Sequence, residues 1–268
     1  MPSRHPGSAA LMRFAHELAD ASGQAIARHF RTTLAIANKA DGDAYDPVTT
    51  ADRAAERVIR RLLKARFPEH GLVGEEYGTI LGRGPYRWFI DPIDGTRSFI
   101  TGSPLWGTLI GLMQDERPLL GLMNQPFTGE RVWSDGRRSR WRGPRGRTAT
   151  LSTRACAGLS AAVLATTHPD IFAAQEASAF AAIKSRARMT RYGGDCYGYC
   201  LLAAGFIDLI IEAGLRPWDI VALVPIIESA GGIVTTWDGR SALNGGRIIA
   251  AGDKRVHAQA LALLRVLS

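Results

Sequence analysis

Apolar residues recur at helical spacing in two stretches near the start of the chain: Leu11, Phe14, Leu18, Ala25 and Phe30, then Ala55, Val58, Ile59, Leu62 and Leu63. Each set falls on one stripe of a helix, so two amphipathic helices open the chain. Thr49, Thr50 and Asp52 offer cap-type side chains at the start of the second helix, and Pro68 follows its end. Lys39 to Pro47, between the two, is polar and turn-rich and reads as a loop. From Leu72 the pattern shortens. Apolar runs at Leu72-Val73, Trp88 to Ile90, Thr108 to Met113 and Leu119 to Met123 alternate with turn residues, and Asp135-Gly136 between Arg131 and Trp141 reads as a hairpin. After Ser152 the order becomes strand Val163 to Thr166, helix Cys196 to Ala204, strand Ile207 to Ile211, helix Asp219 to Ala230, then strands Ile233 to Thr236 and Ile248 to Ala250. The pattern predicts an α+β half over 1–150 and an α/β half over 151–268, packed as one compact unit.

Composition narrows this only slightly. A chain of 268 residues that is 46% hydrophobic can bury a sizeable core. No apolar run reaches the roughly 20 residues that a membrane-spanning helix needs. The stretch from Met1 to Gly23 carries Arg4, Arg13, Glu17 and Asp20 and lacks the layout of a secretory signal. Three cysteines, Cys156, Cys196 and Cys200, argue against a disulfide framework and for a reducing compartment, the cytoplasm. Cys196 and Cys200 share a helix face, but no cluster of further Cys and His gives zinc its four ligands.

The formal charge of +8 changes the picture more. Much of the excess lies in Arg131, Arg137, Arg138, Arg140, Arg142, Arg145 and Arg147, around Trp133 and Trp141. The segment reads as a hairpin with a basic, solvated edge that resists edge-to-edge pairing. A nucleic-acid groove would interleave more aromatics with its basic residues, and no binding motif accompanies these. Nucleic-acid binding through the hairpin is the reading of a different class, and its weakness is the complete acidic set described next.

The most informative segment is Trp88-Phe89-Ile90-Asp91-Pro92-Ile93-Asp94-Gly95-Thr96, where an apolar strand runs into two acids, a proline, a glycine and a hydroxyl. Strand ends are where α/β sites are built. Gly95 lets the main chain approach a ligand, and a helix starting at Gly95 or Thr96 would offer free N–H groups to a phosphate. Further acids stand at element boundaries: Glu75-Glu76 after Gly74, Asp219 after Trp218, and Asp52 after the threonine pair. A lone Asp at a helix start reads as a cap. Converging carboxylates repel one another, and a multivalent cation is the usual way to offset that. Oxygen ligands suit magnesium, and no EF-hand loop is present to argue for calcium.

At these residues the chain resembles the inositol monophosphatase superfamily, whose metal motif Asp-Pro-Ile/Leu-Asp-Gly-Thr precedes a distant Trp-Asp. Here they read Asp91-Pro92-Ile93-Asp94-Gly95-Thr96 and Trp218-Asp219, with Gly74-Glu75-Glu76 and Val48-Thr49-Thr50-Ala51-Asp52 in the expected order. Within the superfamily the match is closest to the histidinol-phosphate phosphatase branch, through Arg97-Ser98-Phe99, Arg191-Tyr192-Gly193-Gly194-Asp195-Cys196-Tyr197 and Glu212-Ala213-Gly214-Leu215. The resemblance implies a layered αβαβα fold, a homodimer, two or three Mg2+ ions with Mn2+ as a substitute, and inhibition by lithium. It implies Glu75, Asp91 and the Ile93 carbonyl around one ion, and Asp91, Asp94 and Asp219 around a second. Glu76 would orient water near a third. Asp52 and Thr96 would position the attacking water, and Gly95 with Thr96 would contact phosphate. The implied substrate is a small phosphorylated metabolite, L-histidinol phosphate first and an inositol phosphate or a nucleotide or sugar bisphosphate next, with Asp195 and Glu212 as candidates to meet its leaving group and Arg191 either facing the substrate or pairing with Asp195. Ser98 and Ser103 are poor nucleophiles, since no histidine in the motif serves as base.

Overall fold

The computed structural model describes residues 7–33, 35–38 and 47–267. Of the loop expected at Lys39 to Pro47, residues 39–46 lie outside the described residues and Pro47 begins a strand. Helix α1 (Ser8–Ala27) is followed by a small ribbon of β1 (Ile36–Asn38) and β2 (Pro47–Thr49), then α2 (Thr50–Arg66). Helix α2 begins where the threonines predict it. Thr49 is the N-cap: its hydroxyl accepts from Ala51 N at 3.1 Å, and Asp52 accepts from Thr49 N at 2.8 Å. This reciprocal arrangement satisfies amide groups that the first turn leaves without helical partners.

The chain then builds β3 (Gly71–Gly74), β4 (Gly78–Ile80), β5 (Tyr86–Asp94), the short helix α3 (Thr96–Ile100), β6 (Gly107–Gln114), β7 (Arg117–Gln125), β8 (Glu130–Ser134), β9 (Ser139–Arg142) and β10 (Thr148–Thr150). These strands form an eight-stranded sheet in the order β10-β9-β8-β7-β6-β5-β3-β4. Strands β5 to β10 run as an antiparallel meander, whereas β3 lies parallel to β5. A second sheet takes β11 (Val163–Thr166), β12 (Met189–Tyr192), β13 (Leu209–Leu215), β14 (Ile233–Thr236) and β15 (Gly246–Ala251) in the order β12-β11-β13-β15-β14. Its helices are α4 (Ala174–Lys184), α5 (Asp195–Ala203), α6 (Pro217–Ile220), α7 (Leu223–Ser229) and α8 (Lys254–Leu267).

Alternation along the strands sorts the side chains into layers. Ile90, Ile110, Leu112, Leu120 and Leu122 face α1 and α2 across one core. Leu109, Met123 and Val132 face the other way, onto α5, α7 and the inner face of the second sheet. Leu209, Ile211, Ile249 and Ala251 face outward from that sheet onto α4 and α8. The result is a five-layer αβαβα sandwich, with α5, α6 and α7 in the middle layer.

Several elements differ from the sequence expectation. The helix read from Asp219 to Ala230 is two short helices separated at Val221-Ala222. The break lies where the chain meets the large sheet at a pair of register-matched glycines, Gly111 and Gly121. A Cβ on Gly121 would sit 1.8 Å from the Ala222 carbonyl oxygen, and one on Gly111 would sit 2.9 Å from Ala222 N. The two missing side chains let this backbone settle directly on the strands. Gly121→Ala is therefore expected to force the segment off the sheet, at a cost of about 1–3 kcal/mol by overpacking. Urea unfolding checks this, and an unchanged midpoint would contradict it.

The arginine-rich hairpin is present, but it is neither the sheet edge nor wholly solvated. Strand β10 covers it, and Arg131 is 3% exposed. Its guanidinium donates to Asn124 Oδ1 at 2.9 Å and to Asp20 Oδ1 at 2.6 Å, because the odd-numbered face of β8 packs against α1 rather than against water. His16, pushed down to about 4 by burial and by Arg131, lies 3.1 Å from the same guanidinium. All three cysteines are free and buried. No helix of the described residues is long and apolar enough to cross a membrane.

Candidate active site

The acids converge because the register of β3 and β5 makes them. Gly74 is opposite Ile90 in the parallel pair, so Glu75 leaves β3 level with Asp91 on β5, and Glu75 N donates to Ile90 O at 3.2 Å. Phe89 and Asp91 share the sheet face turned toward α6, where Phe89 packs on Val221. Helix α6, held close by Gly111 and Gly121, brings Asp219 to the same face. The register slips between Asp91 and Asp94, and this bulge turns both aspartates into one space. Ile93 N donates to Asp91 Oδ1 at 2.9 Å, and Thr108 Oγ1 to Pro92 O at 2.8 Å, which holds the bulge open. Asp91, Asp94 and Asp219 each offer an oxygen within 4.8 Å of the others.

Burial and mutual repulsion act together on these carboxyls. Asp91 is pushed well up by burial, then by the charges of Glu75, Asp94 and Asp219. Asp94 is pushed well up by burial and by Asp195 and Asp219. Burial raises Asp219 to about 7, with Arg216 N, which donates to its Oδ2 at 2.7 Å, pulling the other way. Such a set is costly with every member ionised, and hard oxygen donors in this number suit a divalent cation.

Asp52 lies fully buried at the edge of the cluster and near enough to Glu75 to be raised by it, mainly through burial, to about 6. Its Oδ2 is committed to Thr49, whose hydroxyl donates to it at 2.5 Å. Its Oδ1 has no hydrogen-bond partner among the described residues. Asp52 thus completes the capping box that Thr49 begins, and it keeps one buried acceptor oxygen without a partner among the described residues.

The remaining predicted residues are spread more widely. Gly95 has φ +90°, the left-handed turn that starts α3, and its Cβ would meet Asp195 Oδ2 at 3.0 Å. Thr96 Oγ1 donates to the Ile93 carbonyl at 3.1 Å, so this carbonyl already has one side-chain partner. Glu76 follows Glu75 off β3, its own amide tied to Glu56. Asp195 begins α5 at φ 43° and accepts from Ser98 Oγ at 3.2 Å. Glu212 lies inside β13, accepting from Thr167 N at 2.8 Å, Thr167 Oγ1 at 2.6 Å and Tyr199 OH at 3.1 Å. Burial raises Asp195 to about 6 and Glu212 to about 7. Arg191 is exposed on the outer strand β12 and does not line this cleft. It forms no ion pair with Asp195 among the described residues.

Asp94 to Ser98, Thr167, His168, Asp195, Glu212 and Asp219 line one cleft of about 440 Å³. Two contributors escaped the sequence reading. Glu56, fully buried on α2 and paired with Arg60 at 2.6 Å, accepts from Glu76 N at 2.7 Å and Tyr77 N at 3.2 Å and so fixes the Glu75-Glu76 turn. A Cβ on Gly74 would lie 2.2 Å from Glu56 Oε1, so the glycine makes room for it. Cys196 N donates to Asp94 Oδ2, tying the start of α5 to the metal motif. The i,i+4 spacing of Glu56 and Arg60 was visible in the sequence, but its usual meaning is a solvated pair.

The inositol monophosphatase family model matches residues 9–267. The chain belongs to the inositol monophosphatase family. It is 42% identical over 266 residues to the bifunctional phosphatase IMPL2 of the Arabidopsis thaliana chloroplast, covering 94% of this chain and 75% of that protein. It is 36% identical over 267 residues to a histidinol-phosphatase of Streptomyces coelicolor, covering 94% of this chain and 96% of that one. The solved inositol monophosphatase of Zymomonas mobilis superposes with a TM-score of 0.85 at 41% identity, covering 97% of this chain and all of that one. The family is one of divalent-metal-dependent phosphatases acting on small phosphorylated substrates, and the acidic cluster fits that chemistry.

Proposed function

We propose that this phosphatase hydrolyses L-histidinol phosphate with Mg2+ as its activating ion, Mn2+ serving as a substitute. The observation that carries the substrate is the acidity of the cleft: Asp94 and Asp219 of the metal-type cluster line it, and the half-buried carboxyl of Asp195 and the buried one of Glu212 line it beside them. A phosphate drawn to cations at Asp94 and Asp219 would leave its alcohol portion beside Asp195 and Glu212. Histidinol, with an amine and an imidazole, is the kind of alcohol such a wall favours. The histidinol-phosphatases among its relatives support the same choice.

Glu75, Asp91, the Ile93 carbonyl, Asp94 and Asp219 would hold the ions, with Glu76 beside them. When bound, such ions lower the pKa of a coordinated water and neutralise charge on the phosphoryl oxygens and the leaving alkoxide. Asp52 Oδ1 would accept a proton from the attacking water, its orientation fixed by Thr49 on the other oxygen. Thr96 would direct its hydroxyl toward the same water or a phosphoryl oxygen, and the amides at Gly95 and Thr96 would hold the phosphate in line. Thr167 and Tyr199 keep the Glu212 carboxylate aimed into the cleft.

Phosphate release is to be measured from histidinol phosphate, inositol 1-phosphate and adenosine 3′,5′-bisphosphate side by side. Histidinol phosphate is expected to give the highest kcat/KM. Glu212→Gln keeps an acceptor for Thr167 and is expected to raise KM for histidinol phosphate by about ten-fold or more, with little effect on inositol 1-phosphate. Equal losses on both substrates would remove the assignment to histidinol phosphate and leave the metal chemistry in place.

A further inference from the structure

A second cleft, of about 510 Å³, opens on the opposite flank of α5 from the catalytic one. Its walls are apolar, with Val132, Trp141, Leu151, Leu201 and Phe206 among them, and Phe206 is 66% exposed at its mouth. One carboxylate stands in this apolar setting. Glu130 accepts from Trp141 Nε1 at 3.1 Å and from Tyr197 OH at 2.7 Å, and both donors are neutral. No cation pairs with it among the described residues. That isolation is notable in a chain of net charge +8 whose nearest segment is crowded with arginine.

Strand pleating explains it. Glu130 and Val132 share one face of β8, and Trp141 sits opposite Val132 on that face of β9. Arg131 points the other way, to Asp20 and Asn124 beside α1, and Arg142 is its cross-strand neighbour. Arg140 pairs with Asp135 at 3.6 Å. The sheet therefore separates the carboxylate from the cations that surround it in sequence. Both Glu130 oxygens are oriented by fixed donors, and their charge still lacks a counterion.

We propose that this cleft is a second binding site, for a small organic cation with an apolar or aromatic body. The charged head would reach Glu130, and the body would lie between Trp141, Leu201 and Phe206, where ring faces also attract a cation. The site is separate from the catalytic cleft. Tyr197, Cys200 and Leu201 face this cavity, whereas Asp195, Cys196 and Tyr199 on the same helix face the other.

The test is isothermal titration of the full chain with phenethylamine, with Mg2+ and inorganic phosphate present at saturation so that the acidic catalytic cleft is filled. The uncharged match is 2-phenylethanol and the anionic one is 3-phenylpropionate. Phenethylamine is expected to bind once per chain, and at least about ten-fold more tightly than either analogue. Glu130→Gln, which keeps hydrogen-bond capacity toward Trp141 and Tyr197, is expected to remove that preference. Ala149→Trp, on the exposed strand β10 that lines the cavity, is expected to fill the space and abolish binding, so the idea stays testable if the first variant folds poorly. Equal binding of the alcohol, binding untouched by both variants, or no binding of the amine overturns the proposal. So would sedimentation showing that the cavity is buried in a dimer that Ala149→Trp dissociates.

Discussion

Asp94→Asn is expected to lower metal-dependent phosphate release by about a thousand-fold or more, since the lost interaction is one of several kcal/mol with developing phosphoryl charge. The same change is expected to stabilise the metal-free protein. Asp94 is pushed well up by burial and by Asp195 and Asp219, which outweigh the hydrogen bond from Cys196 that favours its charged form. Asparagine keeps an oxygen that can accept from Cys196 N and removes the charge. A gain of about 1 kcal/mol would raise the melting temperature by about 2–4 °C for a chain of this size. Phosphate-release kinetics and thermal unfolding in chelator check the two halves. A variant that loses activity and also melts lower would mean that Asp94 matters for folding rather than for holding cations.

The metal-free protein is also expected to lose stability as pH rises, and the stabilisation given by Mg2+ is expected to grow. Asp219 and Glu212 are raised to about 7, and Asp52 and Asp195 to about 6, each chiefly by burial. In the unfolded chain such groups titrate near 4. Between about pH 4 and pH 7 the folded state therefore binds more protons than the unfolded one. Stability contributed by these groups is full below pH 4 and declines as pH climbs through their folded values. Cations compete with the same protons, so their hold strengthens over the same window. Melting temperatures in chelator and in excess Mg2+ at pH 5.5 and pH 8 give the comparison. A metal-induced increment that is equal at both values would show that the raised carboxyls do not hold the ion.

The sequence disclosed the chemistry more fully than the architecture. The Asp91 to Thr96 motif could be read because strand, turn and glycine lie within a few residues, and the structure brings Asp91 and Asp94 together with Asp219 as one cluster. What could not be read was why distant acids meet. The register of Gly74 with Ile90, and of Gly111 with Gly121, is a property of paired strands rather than of any one segment. Helix α4 escaped notice because its alanine-rich sequence has no sharp apolar stripe, and β12 because its four residues are half-buried or exposed. Arg131 is buried rather than solvated because Asp20, far upstream, lies against it, which nothing in its own strand reveals. The role of Glu56 is hidden in the same way, since the amides it accepts from, Glu76 and Tyr77, lie on a separate segment.

The glycine seat under Val221-Ala222 bears on the order in which this chain becomes an enzyme. Asp219 reaches Asp91 only after β6 and β7 have paired to create that seat and the middle layer has docked on it. Contacts between segments so far apart form against a large loss of chain freedom and tend to come late. A divalent ion held by Asp91 and Asp219 would therefore find its full set of partners only in a chain that has nearly finished folding. Such an ion would serve as a clasp on the finished molecule, slowing its unfolding, rather than as a template around which the molecule assembles.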